Sequence, residues 1–122
     1  MAETTYVRFQ TPDDLRAKAM QLVEVSSETG KIKKGTNEVT KVVERGEAKI
    51  VVIAEDITPP EVILHIPLLC EEKGIPYFYV QKKEDLGQKV KLKSSAAVAI
   101  VEPGNGKQLL TELIDKFKEI KK

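Results

Sequence analysis

The run Lys33-Lys34-Gly35-Thr36-Asn37-Glu38-Val39-Thr40-Lys41 holds the side chains of this sequence best suited to reading another molecule. A glycine lets a backbone approach a phosphate, and the start of a helix offers unpaired amide donors to it. Asn37 both donates to and accepts from a base edge, while Glu38 accepts two N–H bonds of the kind guanine presents. Lys41, one helical turn beyond Asn37, adds a cation on the same face. A carboxylate among RNA phosphates is repelled, so Glu38 fits that role only where paired base donors are held open to it. The plainer reading is an ordinary helix start, with Thr36 as cap, Glu38 in the first turn and lysines facing water. On residue types and spacing alone the plainer reading is the stronger, though the other stays open.

Other groups with chemical potential offer less. Glu55, Asp56 and Glu61 carry oxygens of the sort Mg²⁺ takes, but a polar strand end and a helix N-terminus account for them better. His65 has no cysteine or second histidine at ligand spacing and is read as structural. Cys70, in an apolar stretch, is read as a small buried hydrophobe. Gly104-Asn105-Gly106-Lys107 lies between a strand and a helix, as a phosphate loop would. It lacks the Walker spacing, and Gln108 stands where a Ser or Thr is needed. No catalytic residue, metal site or cofactor is expected.

The elements that must position these groups follow from periodicity. Thr11-Pro12-Asp13-Asp14 opens a first helix, with Thr11 as cap and Pro12 at the first helical position. Leu15, Ala19, Leu22 and Val23 form its inward face, and it stops near Gly30. A second helix is predicted over 37–45, with Val39, Val42 and Val43 buried and Gly46 ending it. Ile50-Val51-Val52-Ile53-Ala54 reads as a strand covered on both sides. Thr58-Pro59-Pro60-Glu61 begins a third helical region that runs to about Gly74, with Pro67 starting a second piece. Tyr77-Phe78-Tyr79-Val80 is a second strand, 83–86 one helical turn, and 96–101 a third strand. After Pro103-Gly104-Asn105-Gly106 comes an amphipathic helix carrying Leu109, Leu110, Leu113, Ile114, Phe117 and Ile120. Ile32 and its neighbours could add an edge strand. This alternation predicts an α/β fold, a three-layer α/β/α sandwich around a small mixed sheet. Without repeat or linker, 1–122 is expected to form one domain, its first ten residues flexible or loosely packed.

Composition narrows the class of function. Of 122 residues, 41% are hydrophobic and 32% charged, which describes a folded chain with enough length for a core. Twenty basic against nineteen acidic residues leave a net charge of +1. Polybasic coating of nucleic acid is therefore excluded, and any RNA contact must come from a local patch and specific groups. Cys70 is the sole cysteine, so no intrachain disulfide forms, as suits a reducing compartment. No signal architecture or membrane-length apolar run is present, and a cytoplasmic protein, monomeric when free and off the membrane, is expected.

With the run 33–41, four further stretches set a resemblance: Glu44-Arg45-Gly46-Glu47-Ala48-Lys49, Ile53-Ala54-Glu55-Asp56 with Pro59-Pro60-Glu61, Pro67-Leu68-Leu69-Cys70-Glu71-Glu72-Lys73 with Ile75-Pro76-Tyr77, and Leu86-Gly87 with Val98-Ala99-Ile100. Over roughly 33–100 the chain resembles the kink-turn-binding ribosomal proteins, in their archaeal "seven-A-e" large-subunit branch. That resemblance implies recognition of an RNA bend built on tandem sheared G·A pairs, whose guanine edges are free. It implies that Asn37, Glu38 and Lys41 read the guanines, with Thr36 beside them. Lys34 and Gly35 would meet the backbone, Lys83 a phosphate, and Val62 the flipped-out nucleotide. A second surface, around Leu92, Lys93 and Ser94, departs from the pattern: 88–95 is one residue short, lacks the customary glycine and carries three lysines.

The partners so implied are kink-turn RNAs (ribosomal RNA, guide RNA and ribonuclease P RNA) and the proteins of the ribosome and of box C/D and H/ACA particles. The chain would be a non-catalytic RNA-binding scaffold. Two rivals come from other classes: an α/β nucleotide-binding enzyme using the turn at 104–106, and a protein-only adaptor that keeps the fold without RNA.

Overall fold

The computed structural model describes residues 11–57 and 63–120. In chain order these form α1 (Asp13–Thr29), β1 (Lys31–Lys34), α2 (Thr36–Glu44), β2 (Ile50–Ala54), α3 (His65–Lys73), β3 (Tyr77–Val80), α4 (Lys83–Lys89), β4 (Ala97–Glu102), a 3-10 turn (Gly104–Gly106) and α5 (Lys107–Ile120). The strands lie in the order β1-β4-β2-β3. β4 runs antiparallel to both β1 and β2, whereas β3 runs parallel to β2, so the sheet is mixed.

Every residue of β2 is buried, because strands flank it and helices cover both its faces. Val51 and Ile53 point, with Tyr77, Tyr79, Ala97 and Ala99, into a core shared with α2 and α3. Ile50 and Val52 point, with Phe78, Val80, Val98 and Ile100, into a second core built with α1, α4 and α5. That is the expected three-layer α/β sandwich. Each fully buried Ile or Val contributes about 1.5–3 kcal/mol, so this central strand is the firmest part of the sheet. The edge strand expected at Ile32 is β1, paired with β4 through Ile32 and Ile100. Phe117 of α5 reaches the ring of Tyr77 at 5.3 Å and that of Phe78 at 5.8 Å.

Several ends differ from expectation, each for a local reason. Thr11 does not cap α1. Pro12 takes the N-cap position without a side-chain cap, and buried Thr11 Oγ1 accepts the Tyr79 N–H at 3.1 Å. A hydroxyl satisfying a buried strand amide outweighs one offered to an exposed helix end. α2 starts one residue early because Gly35, at φ 90°, is its N-cap; Thr36 is its first helical residue. Pro67 is the third residue of α3, not the first; there too its missing N–H would have been unpaired. The start proposed at Thr58-Pro59-Pro60-Glu61 and the site residue Val62 lie outside the described residues, as does the stretch 1–10. α4 does not stop at Gly87 but runs through it to Lys89. Gly87 lies against the backbone of Ser94, where a Cβ would come within 2.5 Å of Cα.

The end of α4 has the paired bonds of a Schellman cap: Leu92 N–H to the Gly87 carbonyl at 2.8 Å and Lys91 N–H to the Gln88 carbonyl at 3.3 Å. That cap puts Lys91 at φ 63°, the left-handed region, and it is the sole non-glycine residue there among those described. Gly46, at φ 71°, fills the corresponding place after α2 without strain. Lys91→Gly should therefore raise stability by about 0.5–1 kcal/mol, relief of the left-handed penalty less the entropy a glycine adds to the unfolded chain. A urea midpoint that stays or falls would show the cap to be unstrained.

Candidate RNA interface

Gly35 is where sheet and helix join. Its N–H donates to the Ala97 carbonyl at 3.0 Å, continuing the β1/β4 ladder one step past Lys34. Its carbonyl accepts the Val39 N–H at 3.0 Å, the first bond of α2. A Cβ built on Gly35 would meet nothing within 4 Å. Glycine is needed there for its φ, and the space above it is open to another chain's backbone.

Gly35, as N-cap, offers no side chain to cap α2. Its first amides therefore face outward as donors, on the positive end of the helix. Val39, Val42 and Val43 bury the opposite face, which leaves Asn37, Glu38 and Lys41 exposed. Lys41 Nζ stands 3.5 Å from Glu38 Oε2, both about half exposed. An exposed pair of this kind is worth about 0–1 kcal/mol, so it balances the carboxylate's charge without locking it away. Thr36 is half-buried, and its carbonyl accepts the Thr40 hydroxyl at 2.7 Å.

The other expected residues gather on the same side, by contacts far apart in sequence. Lys34 Nζ donates to the Val90 carbonyl at 3.3 Å, tying β1 to the loop after α4. Leu92, Lys93 and Ser94 are exposed on that loop. Ser95 beneath them is buried, with N–H to the Lys83 carbonyl at 3.0 Å and Oγ to the Ala97 carbonyl at 3.0 Å. Lys83 opens α4, its own N–H held by Asp56 Oδ1 at 2.9 Å. Thus Lys34, Gly35, Lys83 and the loop 90–95 form one patch beside the start of α2, while Val62 falls outside the described residues. Ser95 and Lys91, both missed in the sequence, organise this loop. A short, glycine-free turn was the available signal.

Groups set aside on sequence have other work. Asp56 holds the start of α4. Burial, with Glu71 adding to it, pushes the Cys70 thiol up to about 12, so it stays protonated. Burial also raises the Glu55 carboxyl, partly offset by Arg16. In the 104–106 turn, Asn105 N–H donates to Thr29 Oγ1 at 2.9 Å, and Gly106 packs against Leu22. Those contacts dock the turn on α1 and leave it no cradle for a phosphate. No helix among the described residues is long and apolar enough to cross a membrane.

Comparison with known proteins gives the family of the chain. Residues 17–110 match the family described as ribosomal protein L7Ae/L30e/S12e/Gadd45. The "Large ribosomal subunit protein eL8" of Thermoplasma acidophilum is 54% identical over 120 residues, 98% of this chain and 99% of that one. Its counterpart in Thermoplasma volcanium is 52% identical over the same shares. Among solved structures, the "Giardia lamblia 15.5kD RNA binding protein" superposes with a TM-score of 0.88 at 30% identity, covering 98% of this chain and 99% of that one. The curated relatives are named for the ribosome and not for any reaction. With more than half its length inside the family match and near-full-length relatives above half identity, the chain belongs to the ribosomal protein L7Ae/L30e/S12e/Gadd45 family.

Proposed function

We propose that this chain is an RNA-binding scaffold of the large ribosomal subunit that recognises kink-turns in ribosomal RNA. On the same reading it serves guide-RNA particles of the box C/D and H/ACA types and ribonuclease P, as a cytoplasmic, non-catalytic component, monomeric when free. The observation that carries this is the uncapped start of α2, where Asn37, Glu38 and Lys41 are exposed together beside an open glycine. Support comes from relatives named as large-subunit proteins and a neighbour named as an RNA-binding protein.

Sheared G·A pairing leaves guanine edge N–H groups free, and Glu38 accepts a pair of them while Asn37 donates and accepts beside it. Lys41 offsets the carboxylate's repulsion by phosphates. The free amides of the first turn and the lysines at 34, 83 and 93 hold the backbone on either side. Sharp bending brings phosphates together at a cost, and a protein that binds only the bent form shifts the population toward it.

Asn37→Ala and Glu38→Ala should each weaken binding to a kink-turn duplex by about 1–3 kcal/mol, the scale of a bidentate base contact. Replacing the G·A pairs by Watson–Crick pairs should abolish tight binding by the unaltered protein, leaving weak, salt-sensitive attachment. Gel-shift titration measures both, and equal affinity for the paired control would make the chain a general RNA binder.

Because net charge is +1, few phosphates are neutralised and the salt dependence should be shallow. Lys83→Ala should lower the log–log salt slope by about one and spare the preference for G·A pairs. A steep slope, or lost preference in this variant, would contradict a local patch.

Bending itself is measurable. A kink-turn duplex dye-labelled at both ends should bring its ends together when protein is added without Mg²⁺. Binding without that approach would mean attachment to RNA without trapping the bend.

A further inference from the structure

The first turn of α2 has no cap of its own, yet it must hold Asn37 and Glu38 in register with a rigid RNA. Among the described residues, its side-chain tie to another element runs through Thr40. Thr40 Oγ1 lies 2.7 Å from the Thr36 carbonyl and 2.7 Å from His65 Nε2 at the start of α3. A hydroxyl has one proton, and a carbonyl can only accept, so that proton goes to Thr36. A lone pair of Thr40 Oγ1 then faces the imidazole, and His65 Nε2 must be the donor. The resulting chain, His65 to Thr40 to Thr36, ends on the residue just before Asn37 and Glu38. Donation from His65 polarises the hydroxyl and strengthens its bond to the Thr36 carbonyl. His65 itself is half-buried, with Ile63 and Ile66 near it in sequence fully buried.

We propose that His65 is a positioning residue for RNA recognition, acting through Thr40 to hold the first turn of α2 against α3. This rests on the reading that Asn37 and Glu38 contact RNA. A purely structural histidine would stabilise the α2/α3 packing and leave the geometry of the helix start unaffected. A positioning histidine controls the helix start through one donated bond, which another N–H donor of the same reach can replace.

The test compares His65→Leu, which removes the donor, with His65→Gln, whose amide N–H stands in for Nε2–H. Affinity for a kink-turn duplex and for its Watson–Crick-paired control is measured for each, beside the melting temperature. In free protein, amide hydrogen exchange is followed at Val39, whose N–H closes the first turn. His65→Leu should weaken kink-turn binding about fivefold to tenfold, the worth of one net hydrogen bond, and speed exchange at Val39. His65→Gln should restore both. Thr40→Val should produce the same loss, and adding it to His65→Leu should cost nothing more, since both act through one chain of bonds. If His65→Leu does not fold, Thr40→Val against Thr40→Ser carries the comparison, with Ser expected to retain binding. Unchanged affinity and exchange in His65→Leu, failure of Gln to restore them, or additive losses with Thr40→Val would overturn the proposal. If unaltered protein binds the paired control as tightly as the kink-turn, the RNA reading fails instead, and exchange at Val39 still reports whether His65 governs the first turn.

Discussion

The bond from Gly35 N–H to the Ala97 carbonyl is the constraint on which the rest of the site depends. β4 is shared, pairing with β1 on one side and β2 on the other, so its position is dictated by the most deeply buried strand in the molecule. The Gly35 bond carries that register one residue beyond β1 and into the first turn of α2. A slip of one residue in β1 would turn Ile32 outward and rotate the start of α2 away from the loop 90–95. The end of α2 where Asn37 and Glu38 stand is thereby tied to the sheet through the backbone.

A second set of bonds ties the other half of the patch to the same strand. Ser95 reaches both the Lys83 and Ala97 carbonyls, and Gly87 lies against the Ser94 backbone with no room for a Cβ. α4, the loop after it and the end of β1 are thus referenced to β4 within two or three bonds. Rigid referencing matters for a proposed reader of bent RNA, because base-edge hydrogen bonds weaken steeply once misaligned. Lys91 is consistent with this economy. The loop keeps the geometry of a glycine cap while carrying a lysine, and the surrounding Schellman bonds hold it there.

Charge is distributed by the same logic. The chain is nearly neutral overall, yet Lys34, Lys83 and Lys93 stand around one loop, and the carboxylate among them, Glu38, is balanced by Lys41. Membership of the L7Ae/L30e/S12e/Gadd45 family accounts for the fold and for the placement of the conspicuous run 33–41.

Periodicity alone determined the elements. The unbroken apolar run Ile50 to Ala54 had to be a doubly covered strand, and the Val39, Val42 and Val43 stripe had to be a helix face, because 2.0 and 3.6 residue repeats are written in local sequence. The residues 33–41 offered suitable groups locally but read also as an ordinary helix start, and only the resemblance suggested what they would read. Tertiary structure decided everything that needed two distant segments. It took Thr11 from its helix to serve Tyr79, gave Asp56 to Lys83, and set His65 against Thr40. It also carried α4 through Gly87 and placed Lys91 in a left-handed cap. Such choices turn on which buried polar group has the greater need of a partner, a comparison between segments that no local pattern contains.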